Sequence, residues 1–441
     1  VPDIQKIDGK HLVQIVHIQP AGFADAAEAA RDACAPDPDG DEAFWFEALI
    51  AQCRDVAAGF EAFALPDGAP DDLLLPTLRR LAEADPDSLP EEMREKARSA
   101  RERAAALTEA CRSLAERAAD MASMDFGFLY DAQRELLSIG YNVQEQRLDA
   151  SYYDLLASEV RLTYFVAIAQ GQLPQESWFA LGRLLTANNG TPTLLSWSGS
   201  MFEYLMPMLV MPSCERTLLD EACRGAVARQ IEYGRETGLP WGVSESAYNV
   251  QDRDLNYQYR AFGVPGLGLR RGLGEDAVIA PYATALALMV EPDAACRNLH
   301  VLASRGLGGR FGLYEALDCT PLRLPRGTDA AIIYSFMAHH QGMSLLSLLS
   351  VLREGPMQRR FLADPALQST KLLLEERMPL TAPDYLHNGR YLTATATEGT
   401  VRAVENKLRV FTKTDVTPPA VQLLSNGRYH VMVSSAGGGY S

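Results

Sequence analysis

The chain has 441 residues, is 47% hydrophobic and 22% charged, and carries a formal net charge of −16. That length exceeds one ordinary core, so two or three units are expected, and the negative charge repels phosphate backbones and excludes nucleic acid as the expected partner. No apolar run approaches the ~20 residues of a membrane span and no basic-then-apolar leader opens the chain; the expectation is a cytoplasmic protein needing no membrane contact of its own, or a segment of a longer one, which the Gly-rich end SSAGGGYS favours.

Residues 1–122 are rich in Ala, Asp, Glu and Arg, with loops such as APDPDGDE and ALPDGAPDD. Glu91 to Met121 is predicted as one long helix. Its apolar positions Met93, Ala97, Ala100, Ala104, Leu107, Cys111, Leu114, Ala118 and Met121 alternate four and three apart, the spacing of a coiled-coil seam. Small seam residues require a closely approaching partner. The stretch with Phe46, Leu49, Cys53, Val56 and Phe60 has a similar period and is the expected antiparallel partner; a dimerisation arm is the alternative.

Residues 123–385 alternate helical patterns with long loops. Helices are predicted near 126–139, 151–171, 175–186, 200–210, 216–237, 278–290, 293–305, 329–353 and 357–375. The loops, among them TPTLLSWSGS, GLPWGVSESAYNVQDRDLNYQYRAFGVPGLGL and GLGGRFGLYEALDCTP, are rich in glycine, aromatics and carboxylates. Long ordered loops between helices carry function more often than not. Many helices joined this way predict a mainly α fold, a toroid of helical hairpins of the α/α barrel type. Residues 386–441 change texture: YLTATATEGTVRAV, LRVFTK, AVQLLSN and YHVMVSS are short β-rich runs, with the turn signal Asn426-Gly427 between the last two.

Several chemistries find no motif. There is no Walker loop and no H-E-x-x-H, and GVPGLGLRRGLG does not fit G-x-G-x-x-G. His339 and His340 are adjacent, so they do not face one metal as an i,i+4 pair does; neither metal nor cofactor is expected. SWSGS lacks the frame of a nucleophile elbow. The seven cysteines are scattered without a C-x-x-C pair and are predicted as buried small hydrophobes in a reducing compartment.

What remains is carboxylates flanked by aromatics and glycines. Glycoside chemistry needs two carboxyls across the scissile bond and aromatic faces to hold sugar rings. Glu203 in SWSGSMFEYLMP, Glu245 in PWGVSESAYN and Glu315 in FGLYEALD are in such settings. Glu315 is expected just before a helix start, with Asp318 one turn later. Glu203 and Asp318 have an equally good structural reading as capping or hydrogen-bonded residues. Trp197, Trp241, Tyr248, Tyr257, Tyr259 and Phe262 lie in or beside the long loops as candidate sugar platforms, and Asp252 and Asp254 line the same cleft or solvate the loop. AHHQGM places His339, His340 and Gln341 in an apolar helical stretch, where they are either satisfied core residues or contacts to sugar hydroxyls.

Taken in order, FLYDAQRELLSIGYN, LDASYYDLLASEVRL, SWSGSMFEYLMP, LPWGVSESAYN, NYQYRAFGVPGLGLRRGL, VIAPYATALALM, YEALDCTP and FMAHHQGM resemble the central region of bacterial cyclic β-1,2-glucan synthases, over about residues 125–385. LLSNGRYHVMVSSAGGGYS resembles the opening of the phosphorylase-like region that follows in those proteins. The resemblance implies an (α/α)6 barrel, glucoamylase-like and related to β-1,2-glucanases. It implies an anomer-retaining transglycosylase that closes linear β-1,2-glucan into a ring. It implies as partners a membrane-embedded transferase and a phosphorylase-like unit within an inner-membrane-anchored synthase. It selects Glu245 and Glu315 as the catalytic pair, with the order of nucleophile and acid/base left open and Glu315 favoured as nucleophile. An inverting endo-β-1,2-glucanase and a non-catalytic glucan-binding module are the rivals.

Overall fold

The computed structural model describes residues 9–63, 77–188, 191–378, 421–425 and 429–440. The chain divides into two compact units, Val1–His387 and Asn388–Ser441.

The first unit opens with four helices: α1 (Gly9–Cys34), α2 (Asp41–Glu61), α3 (Leu78–Glu83) and α4 (Glu91–Ala122). The long helix is where its seam predicts it, but its partner differs. α2 packs along α1, while α4 packs on α3. Ala100 and Ala104 are buried against Leu81, with Phe63, Leu78 and Ala82 around them. Close approach is achieved with a short helix, and only half the seam is used: Leu107, Leu114 and Met121 are exposed.

Beyond α4 the chain forms two small hairpins, β1 (Tyr130–Asp131) with β2 (Leu136–Leu137), and β3 (Tyr141–Asn142) with β4 (Arg147–Leu148). The helix predicted at 126–139 is absent. The Asp131 carboxylate accepts from the amides of Gln133 and Arg134, so local side-chain bonding turns the backbone where a helix would continue it. The next helix, α5 (Ser158–Ala169), starts later than predicted because Asp154 accepts from the amides of Leu156 and Ala157. α6 (Glu176–Ala180) is short, and the remainder of its predicted span is β5 (Leu184–Asn188), paired with β6 (Thr191–Leu195) through Thr186 opposite Thr193.

α7 (Met201–Leu205) and α8 (Leu218–Thr237) follow the sequence pattern. α8 is capped by the Thr217 hydroxyl and ends at Gly238 with φ +69°. β7 (Ser246–Gln251) and β8 (Tyr257–Arg260) form an antiparallel hairpin. β9 (Val278–Ile279) precedes the fully buried α9 (Pro281–Leu286), which starts at a proline, and α10 (Pro292–Leu302) closes this part. The segments predicted as uninterrupted helices at 278–290 and 329–353 therefore each begin with a strand. β10 (Gly308–Gly309) and β11 (Gly312–Leu313) make a tight hairpin; β12 (Ala316–Asp318) is the middle of a three-stranded antiparallel sheet between β9 and β13 (Ala331–Ile333). Glu315 thus precedes a strand, not a helix. α11 (Ala338–Leu352) follows, and the predicted 357–375 helix is split into α12 (Pro356–Phe361) and α13 (Pro365–Thr370) by Pro365, whose N-cap is Asp364.

One apolar core runs from Phe126 to Leu374 and takes residues from α5, α7, α8, α9 and α11. Cys223 and Cys319 are buried as predicted, but Cys34, Cys111 and Cys296 are exposed. Among the described residues no helix is long and apolar enough to cross a membrane. In the second unit β14 (Val421–Ser425) pairs antiparallel with β15 (His430–Ser434), and β15 with β16 (Gly439–Tyr440). Asn426-Gly427 and the runs predicted between 391 and 413 lie outside the described residues.

Candidate active site

The loop SWSGS and the first turn of α7 form one hydrogen-bonded unit. The Glu203 carboxylate accepts from the hydroxyls of Ser196, Ser198 and Ser200 at 2.8, 2.5 and 3.1 Å, and from the amides of Ser198 and Ser200. Ser200 accepts in turn from the Glu203 amide, completing a capping box. Glu203 therefore shapes the loop. Met201 N donates to Val243 O and Phe202 N to the Ser244 hydroxyl, so this rigid unit carries the adjoining SES segment.

Glu245 lies at the entrance to β7. Side chains two apart on a strand share a face, and Tyr259 of β8 pairs opposite Ala247. Register thus makes Tyr259 a diagonal neighbour of Glu245, and its hydroxyl lies where it stabilises the ionised Glu245 carboxyl. Burial raises the Glu245 pKa above the ordinary value; Glu159 and Glu203 add to the rise, while the Tyr259 hydroxyl and His340 oppose it. Burial, followed by the Glu245 and Glu315 carboxyls, raises the Tyr259 phenol, which keeps its proton as a donor.

Glu315 is 2% exposed. Its Oε1 accepts from Ala247 N at 3.2 Å, and its Oε2 is 2.9 Å from His340 Nδ1. His340, 1% exposed in the first turn of α11, has its other nitrogen 3.3 Å from the Tyr259 hydroxyl. Tyr282 of α9 stacks on the imidazole, centroids 3.6 Å apart and planes at 10°. The Tyr282 hydroxyl also bonds Ser244 and donates to Glu245 O at 2.9 Å. A continuous set of contacts therefore joins the two glutamates: Glu315, His340, Tyr259, Glu245.

Asp318 is fully buried and accepts from Arg323 and from the amides of Asn249 and Thr320. Burial alone would raise its pKa; the Arg323 guanidinium and these amides outweigh burial and hold it below the usual carboxylate range. Arg323 also pairs with Asp276, and Asp276 with Arg260. Tyr248 faces this charged group, with Arg260 and Arg323 5.1 and 5.0 Å from its ring centroid. Asp318 and Tyr248 thus brace β7 against β12.

The other predicted residues scatter. Trp241 is 8% exposed, with its backbone carbonyl bonded by Thr284 and Asn298. Tyr257 packs on the main core. Trp197 is 64% exposed on the serine loop, and Asp254 is exposed in a turn closed by Asp252. His339 is exposed beside Tyr259; burial of part of its ring and the adjacent His340 lower its pKa. Gln341 donates to Leu313 O at 3.0 Å. A cavity of about 440 Å³ reaches Glu315, His340 and Gln341. A larger hollow of about 740 Å³, beside the α1–α2 turn, touches none of the predicted residues. Among the described residues no group of three or more His, Cys, Asp or Glu converges as a metal site. The sequence reading missed Tyr282 and Glu159. Tyr282 stands in an unbroken apolar run, where an aromatic reads as core, and only its place in PYATAL after a proline distinguishes it.

Residues 151–365 match the family model described as "Putative glucoamylase", and residues 404–441 match the supersandwich domain of glycosyl hydrolase 94. The chain is 45% identical over 337 residues to the cyclic β-(1,2)-glucan synthase NdvB of Rhizobium meliloti (strain 1021), a match covering 74% of this chain and 12% of that protein. Among solved structures it is similar to an endo-β-1,2-glucanase from Chitinophaga pinensis, with 14% identity, 81% of this chain and 86% of that one covered, and a TM-score of 0.42. An endo-β-1,2-glucanase from Talaromyces funiculosus gives 13%, 86%, 85% and 0.43 for the same quantities. The resemblance carried by the ordered motifs therefore holds: the chain is similar over 74% of its length to a cyclic β-1,2-glucan synthase and contains a glucoamylase-like domain.

Proposed function

We propose that the first unit, on an (α/α)6 frame, is an anomer-retaining transglycosylase that closes linear β-1,2-glucan into a ring, with Glu315 as nucleophile and Glu245 as acid/base. The supporting observation is the asymmetry of the two carboxyls. Glu315 is fixed by the Ala247 amide and His340, the environment of a group that must present one oxygen in one direction. Glu245 is half-buried and its pKa is raised, the environment of a group that must hold a proton and give it up.

A Glu315 oxygen attacks the anomeric carbon as Glu245 gives its proton to the leaving glycosidic oxygen. The bond to the leaving chain breaks and a glycosyl ester forms. Glu245, now ionised, takes the proton of the 2-hydroxyl at the far end of the same chain. That oxygen displaces Glu315 and the ring closes. Tethering favours this acceptor over water through effective concentration. The Tyr259 hydroxyl stabilises Glu245 when it is ionised, and His340 holds Glu315 in line. The proposed partners are a nucleotide-sugar transferase and a phosphorylase-like unit of a longer synthase.

Glu245→Gln is expected to lower kcat on linear β-1,2-glucan by about 10²–10⁴-fold, and Glu315→Gln at least as far. Near-normal activity in both would remove the pair. Azide distinguishes the roles, because an anion needs no base: it should rescue Glu245→Ala with formation of a β-glycosyl azide and leave Glu315→Ala without that product.

A further inference from the structure

α2 lies outside the mechanism just proposed, yet it touches the segment that leads into Glu315. The Trp45 indole N–H donates to Arg310 O at 2.8 Å. Arg310, in the turn between β10 and β11, sets its guanidinium 4.1 Å from the Phe44 ring centroid and pairs with Asp41 at 3.4 Å. Four residues on from Phe311 the chain is Glu315. Rings in mutual contact follow the same path: Phe44 and Trp45 to Phe311, Phe311 to Phe336, Phe336 to Tyr314, and Tyr314 to Tyr334, with centroids 4.9–6.5 Å apart.

Packing alone does not account for this belt. Trp45 is 49% exposed, Phe311 51% and Tyr334 63%, so large apolar faces stay in water next to a buried carboxyl. Trp45, Phe311 and Tyr314 line the 440 Å³ cavity that also reaches Glu315, His340 and Gln341. The remaining walls are mostly aliphatic, among them Leu288, Leu299 and Leu345; apolar walls with a few convergent polar groups are the make-up of a small-ligand site, and the flat rings at its Trp45 end suit the C–H faces of a pyranose. The bond to Arg310 fixes the indole before any ligand arrives, so little side-chain freedom is lost on stacking. Gln341 spends its Nε2 on Leu313 O, which leaves its amide oxygen for a sugar hydroxyl.

We propose that Trp45 is the platform of a glucosyl subsite adjoining Glu315, lent to the catalytic domain by the N-terminal helical pair. It binds a β-linked glucosyl residue of the glucan chain and takes no part in bond making. The inference rests on the reading of Glu245 and Glu315 as a glucan-processing pair.

The test is calorimetric titration of linear β-1,2-glucan into the full chain carrying Glu315→Gln, alone and combined with Trp45→Ala, Trp45→Leu or Trp45→Phe. Leu keeps the bulk against Phe44 and Phe311, so it covers the case in which Ala does not fold. Ala and Leu are expected to raise Kd about ten-fold in chains that remain folded, and Phe to stay within about three-fold of the parent. A Leu variant that folds and binds as the parent does overturns the subsite. Equal weakening by Phe and Leu also overturns it, because the shared loss is then the bond to Arg310. A Glu315→Gln parent that binds no glucan overturns the glucan reading itself, and the subsite with it.

Discussion

Glu245 and Tyr259 make the most sensitive contact at the residue scale. A glutamate whose pKa lies above the ordinary 4.5 keeps its proton to higher pH, so the proposed acid role places the alkaline limb of kcat/KM where Glu245 loses it. The Tyr259 hydroxyl works against burial by stabilising the carboxylate. Tyr259→Phe removes the donor and keeps the ring. The folded-state pKa of Glu245 should then rise further, moving the alkaline limb to higher pH. A limb that stays in place or moves to lower pH contradicts this contact. The sequence singled out Glu245, Glu315, Tyr259 and His340 as candidates, because carboxylates and aromatics in Gly-rich loops and paired histidines in an apolar run need a reason. It left Glu203 and Asp318 open between a capping or hydrogen-bonded role and a place in the site, and the structure spends both on hydrogen bonds within the fold. Ser200 three residues before Glu203 is the spacing of a capping box, whereas the approach of Ser196 and Ser198 to Glu203, and of Arg323 to Asp318, depends on the folded backbone.

At the scale of elements, α4, α8 and α10 were legible from their apolar spacing, and the spans that aspartates or prolines interrupt were not. α8 carries Thr217 at its start and Gly238 at its end, and its predicted span differs little from the observed one. The runs at 126–139 and 151–157 have helical apolar spacing too, but Asp131 and Asp154 turn the backbone back on itself. The strands β9, β12 and β13 are two or three residues long, too short for a period of two to emerge from apolar sequence. The loops are held by close backbone approach, which gives a second expected outcome. A Cβ on Gly263 would lie 1.7 Å from Ser198 O, and neither backbone is free to move: Val264 N bonds Gly199 O, and Ser196 N bonds Leu267 O. Gly263→Ala should cost about 2–3 kcal/mol, read as a fall in Tm. An unchanged Tm would mean that the serine loop and the 260–268 segment are not packed as described.

Across the whole molecule, the helical N-terminal region and the domain matched by the family model meet at the β10–β11 turn, directly ahead of Glu315. The long seam of α4 was legible, but not that α2 would reach Arg310, because a bond between Trp45 and a backbone carbonyl 265 residues away leaves no periodic trace. The central claim is that the acceptor is the sugar's own far end and not water. Its direct measurement is incubation of the purified chain with linear β-1,2-glucan, followed by mass and reducing-end analysis of the products. Material 18 mass units lighter than the linear glucan of equal length, with no reducing end and absent from the Glu315→Gln reaction, is the expected result. Linear oligosaccharides alone, released with inverted anomers, would contradict it.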